Sequence, residues 1–63
     1  MATVIVNELA ERIRQACIEV ALEAYELGGI SGLCAEGRWE LAIGAIRDLD
    51  LNSVVKSAIK TTP

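Results

Sequence analysis

The sequence predicts an all-α fold: a long N-terminal helix, then a short helix-turn-helix and a C-terminal helix, all in one domain over residues 1–63. Three observations predict it. Apolar residues recur three and four apart along most of the chain. Glycines and cap-forming side chains punctuate those runs. Finally, 52% of the residues are hydrophobic in a chain of only 63, more than so small a domain can bury by itself.

The first helix rests on Val6, Leu9, Ile13, Cys17, Val20, Ala24 and Leu27, which form a helical stripe between about Val4 and Leu27. Good helix formers fill the intervening positions. Thr3 or Asn7 offers an N-cap, although the opening ATVIV has a strand-like composition. Gly28-Gly29 supplies the backbone freedom that ends a helix at its C′ position. Ser31 can then cap a short helical turn through Leu33-Cys34-Ala35-Glu36, closed by Gly37.

A further helix follows from Arg38 to about Asp48, with Trp39, Ala42, Ile43, Ile46 and Leu49 on its apolar side. Gly44 lies opposite, either to admit another backbone or because the helix tolerates it at a cost of about 1 kcal/mol relative to alanine. Asp50 or Asn52 can cap the last helix, in which Leu51, Val54, Val55, Ala58 and Ile59 share a face opposite Ser53, Lys56 and Lys60. Thr61-Thr62-Pro63 is expected to fray. The predicted core comprises Leu9, Ile13, Cys17, Val20, Ala24, Trp39, Ala42 and Ile46, with Trp39 favoured as core over the interface hot spot that its residue type also allows.

The surplus apolar surface has a predicted location. Ile18, Leu22 and Tyr25 fall on the far side of the first helix at i, i+4 and i+7, among Glu11, Arg14, Glu19 and Glu26. The second half of that helix is therefore apolar on two sides. Either the later helices wrap around it and cover both, or Ile18, Leu22, Tyr25 and the adjoining Glu26 meet a second subunit or a target protein. Tyr25 favours an interface, because its ring is apolar and its hydroxyl tolerates water. A homodimer, a protein target, or both are the expected partners.

Charge narrows the function classes. The net charge is −3, and residues 1–29 carry two basic groups against five acidic ones. An acidic helix repels phosphate and suits a protein partner. A small helix-turn-helix DNA-binding regulator is the alternative, but Arg38 and Arg47 are offset by Glu40 and Asp48, which is not the basic stripe of a DNA reader.

No enzymatic activity is expected. The chain has no histidine, no glycine-rich phosphate loop and no nucleophile beside a base. Glu36 and Glu40, four apart, read as a solvated helix face. Cys17 and Cys34 stand alone without metal-ligand spacing, so neither a metal nor any other cofactor is expected, and packing as reduced thiols is favoured over a disulfide. Charges interrupt every apolar run before the roughly 20 residues a membrane span needs. MATVIV lacks the basic flank and length of a secretory signal, which makes the cytoplasm the expected location.

Two resemblances add to this reading. Gly37, Trp39, Ala42 and Ile46, within Leu33 to Leu49, resemble the turn and second helix of a tetratricopeptide repeat, although Gly29 and Ile30 are out of phase with that pattern. The match implies a local helix-turn-helix geometry; a solenoid needs about three repeats. The longer segment GISGLCAEGRWELAIGAIRDLDL is similar to small helical proteins of Mu-like transposable phages, a group that includes an anti-activator of host quorum sensing. That resemblance implies a dimeric inhibitor in the host cytoplasm that binds an acyl-homoserine-lactone receptor, and a pilus motor ATPase as a further target. It assigns no role to any single residue.

Overall fold

The computed structural model describes residues 2–58, with side chains from Val6 onward. The fold is all-helical: α1 (Ala2–Ile30), α2 (Ala35–Arg47) and α3 (Leu51–Ala58), with no strand among the described residues. Ile59, Lys60 and the Thr61-Thr62-Pro63 end, expected to extend and then fray the last helix, lie outside the described residues.

Helix α1 is longer than the spacing predicts at both ends. Thr3 and Asn7, the expected N-caps, lie inside it. At the other end Gly28-Gly29 does not stop the helix, which continues to Ile30. The stop comes from Gly32, whose φ of 89° is the left-handed conformation that glycine adopts without penalty. The Leu33 amide donates to the Gly28 carbonyl at 2.9 Å and the Gly32 amide to the Gly29 carbonyl at 3.0 Å. These are the two bonds of a Schellman cap, with Gly32 at C′.

The short turn expected from Ser31 and the helix expected from Arg38 are replaced by one helix that begins at Ala35 and carries Gly37 within its first turn. Gly37 leaves room for Leu33, since a Cβ there would lie 3.3 Å from the Leu33 Cβ. Cys34 holds the extended backbone of an N-cap. Its thiol faces the amides of Gly37 and then Glu36, outside strict hydrogen-bond geometry, and they hold it below the ordinary thiol range.

Helix α2 ends where the Asp48 amide reaches back to Gly44 O. Of the two caps offered to α3, Asp50 is the one used. Its carboxylate accepts from the Ser53 hydroxyl at 2.8 Å and the Ser53 amide at 3.3 Å. Those bonds, the hydroxyl first, hold the Asp50 carboxyl below its usual range.

Both later helices pack on α1 and not on each other. Helix α2 starts beside Gly28 and runs back antiparallel to α1. Helix α3 continues in the same direction, with Ser53, Val54 and Ser57 beside Arg12, Gln15, Ala16 and Glu19. The result is a rod of 46 × 19 × 15 Å, one long helix backed by a broken one. A two-layer rod cannot cover all sides of α1, so the alternative in which later helices wrap around it is set aside.

The core is correspondingly thin. Leu9, Ile13, Cys17, Val20 and Ala24 are half-buried on the covered side of α1, and Ala42, at 6% exposure, is the one buried hydrophobic residue among those described. Two expected core residues are corrected. Trp39 is 61% exposed, and Ile46 also remains on the surface. Val6 and Leu27, the ends of the predicted stripe, are exposed as well.

The reason lies at the helix crossing. A Cβ on Gly28 would stand 3.1 Å from both Arg38 Cγ and Leu41 Cδ1, and 3.4 Å from the Arg38 Cα. The two backbones approach closely there, and close approach selects small residues for the contact line. On α2 the buried residue is the small Ala42, next to Leu41 at the crossing, while the bulkier Trp39 and Ile46 stay exposed.

Candidate functional site: a two-row apolar face

The candidate site is a surface, built from one flank of α1 and one flank of α2. Ile18 and Leu22 are 46% and 60% exposed, one turn apart on α1. Tyr25, a turn further on, is half-buried, because Arg38 reaches across from α2. The Arg38 guanidinium lies 4.1 Å from the centroid of the Tyr25 ring. Its Nε donates to the Tyr25 carbonyl at 2.9 Å.

Gly29 makes that seat possible. A Cβ at Gly29 would stand 2.7 Å from the Arg38 Cζ. Sequence reasoning assigns the glycine pair to a helix end, whereas the folded chain uses it to admit α2 and the Arg38 side chain. Tyr25 therefore stands inside the α1–α2 seam, with its ring capped by a cation, and Ile18 and Leu22 are left as the free part of the predicted strip. Glu26 is exposed at its edge.

A second row lies on α2. Trp39, Ile43 and Ile46 repeat the i, i+4, i+7 spacing of Ile18, Leu22 and Tyr25. At 100° per residue both rows are rotated about a quarter turn or more, in the same sense, from the line of α1–α2 contact. In an antiparallel helix pair, equal rotation in the same sense leads to the same face. The rows also match in height, since Gly28 meets Arg38 and Leu41. Counting back from there sets Ile43 beside Ala24–Tyr25 and Ile46 beside Ala21–Leu22.

Trp39 and Ile43 share a shallow groove with Glu40 and Arg47 at the outer edge of α2. The face is thus a pair of staggered apolar rows about three turns long, with charged side chains along its margins. The signal for the second row was available in the repeated spacing, but assigning Trp39 to the core concealed it.

A smaller apolar patch occupies the opposite flank at the tip of the hairpin, formed by Leu27, Ile30, Leu33 and Leu41, all exposed. The remaining features carry less chemistry. Glu11 and Arg14 form an exposed ion pair at 3.0 Å, of the kind that contributes little to stability. Both cysteines are free thiols, Cys17 half-buried and Cys34 exposed.

Among the described residues no cluster of three or more metal-ligating side chains occurs, and no helix is long and apolar enough to cross a membrane. Arg38, one of two arginines a DNA-reading second helix would present, is folded back onto Tyr25. Comparison with known protein families, curated proteins and solved structures gives no match.

Proposed function

We propose that this chain is a non-catalytic protein-docking module that assembles through the two-row face and acts as an inhibitor or modulator of a host regulatory protein. The observation that carries the reading is the exposure of Ile18, Leu22 and Trp39 together on one face of a rod whose own helices leave that face open. Contiguous apolar surface of this kind, rimmed by charge, marks a protein contact. The exposed Trp39 at one end of the face is of a residue type that is enriched among those that dominate interface energetics.

The acidic first half supports a protein target over nucleic acid, because binding DNA would require basic groups to neutralise phosphates. The similarity to small proteins of Mu-like phages makes an acyl-homoserine-lactone receptor the first target to test. The experiment mixes the purified chain with such a receptor and follows co-elution and elution mass, for the wild type and for Ile18→Asp/Leu22→Asp. The expected outcome is a helical variant with lower elution mass that no longer co-elutes with the receptor. An unchanged circular dichroism spectrum together with unchanged mass and surviving co-elution overturns the reading.

A further inference from the structure

We infer that the two-row face is self-complementary and is occupied by a second copy of this chain, packed antiparallel about a two-fold axis that passes beside Ile43. This deepens the docking reading by naming the occupant and its orientation.

The first support is area. A compact monomer of 6.7 kDa exposes about 3,900 Å² by the usual scaling of surface with mass, whereas this chain exposes 4963 Å². The excess of about 1,000 Å² matches the roughly 800 Å² that each partner contributes to an interface of standard size. One contact across the open face is enough to bring the chain to the surface of an ordinary compact protein.

The second support is charge, and it fixes direction. Glu40 and Arg47 flank Ile43 on the outer edge of α2, three residues before it and four after it. A two-fold axis across the helices beside Ile43 reverses α2 against its mate. Arg47 of each copy then falls opposite Glu40 of the other, giving two equivalent ion pairs. On α1 the same operation brings Tyr25 close to the axis, beside Tyr25 of the mate, and sets Leu22 level with Glu26–Leu27 of the mate and Ile18 level with its Ile30–Ser31. The parallel alternative gathers Glu26, Glu36 and Glu40 of both copies at one end, where the cation at the hairpin, Arg38, is already engaged by the Tyr25 carbonyl and ring, and it leaves Glu40 and Arg47 without each other. Rim charges contribute modest affinity but decide orientation, so the apolar rows hold the dimer and Glu40–Arg47 sets its sense. The tip patch of Leu27, Ile30, Leu33 and Leu41 lies on the opposite flank and stays uncovered in this arrangement.

The test combines light-scattering mass with charge reversal and cross-linking. The wild type is expected to elute at the mass of two chains. Glu40→Arg and Arg47→Glu, each alone, weaken dimerisation about tenfold at low salt, since each opposes like charges twice across the axis. The double variant restores it. In a Cys17→Ser/Cys34→Ser background, Ile43→Cys forms an intermolecular disulfide on mild oxidation, whereas a parallel dimer places Ile43 against α1 of its mate and leaves it unlinked. A monomeric wild type at high micromolar concentration overturns the proposal. So does a dimer in which the two reversals are simply additive and Ile43→Cys does not cross-link. Receptor co-elution by a monomeric or parallel form leaves the docking function standing, and a dimer with Glu40–Arg47 coupling that ignores the receptor removes that function alone.

Discussion

Cys17 and Cys34 are chemically alike and placed very differently. Cys34 sits at the N-cap position of α2, exposed, with the amides of Gly37 and Glu36 pulling its thiol below the ordinary range. Because the shift is downward, the thiolate of the folded chain persists to lower pH than that of the unfolded one. Its stabilising effect is present above the unfolded pKa and is lost as pH falls through the lowered folded value. Iodoacetamide labelling followed by peptide mass should therefore modify Cys34 well ahead of the half-buried Cys17. The pH midpoint for Cys34 should lie below the roughly 8.5 of a free cysteine, and the two rates should converge in denaturant. A Cys34 midpoint at or above the free value counts against the placement. None of this was legible in the sequence, where Cys34 stood inside a turn assigned to other caps. The same scale explains Trp39 and Tyr25. Apolar residues cover more than half the circumference of α2, so spacing alone cannot say which part of that arc meets α1. Arg38, read in the sequence only as a charge offset by acidic neighbours, proves to be the residue that turns Tyr25 into part of the seam.

At the scale of the elements, three glycines that look interchangeable in a helical sequence have three different jobs. Gly32 stops α1 through its positive φ. Gly28 permits the closest approach of α1 and α2, where a Cβ would press on Arg38 and Leu41. Gly44 meets nothing within 4 Å and carries no positive φ, so its place in α2 costs helix propensity without a packing return in the single chain. Helix propensity alone would have alanine stabilise at both Gly28 and Gly44. The structure predicts opposite signs: Gly44→Ala raises stability by about 0.5–1 kcal/mol, whereas Gly28→Ala lowers it by about 1 kcal/mol as overpacking outweighs the propensity gain. Urea denaturation of the two variants checks both, and equal signs would show that the crossing at Gly28 is looser than described. The all-helical class and the long first helix were legible because the three-and-four periodicity is strong. The boundaries at residues 28–38 were not, because a glycine that ends a helix and a glycine that admits a neighbour read alike until the neighbour is in place.

For the whole molecule the decisive quantity is how little of it is inside. With Ala42 as the single buried hydrophobic residue described, the isolated rod resembles half of a four-helix arrangement. A domain this small draws at most about 3–5 kcal/mol from one core. In the proposed dimer its stability should therefore depend on a second copy covering Ile18, Leu22 and Trp39, and mass action then ties melting temperature to concentration. A hundredfold increase in protein concentration contributes about 1.4 kcal/mol per chain to a two-chain unfolding equilibrium, a rise of about 5–10 °C for a domain of this length. Calorimetry across that range should show the rise for the wild type. Ile18→Asp/Leu22→Asp should melt lower and at a temperature independent of concentration, because its chains no longer cover one another. A wild-type melting temperature that does not move with concentration would mean that the thin core of α1 against α2 and α3 suffices on its own, and that the open face plays no part in folding.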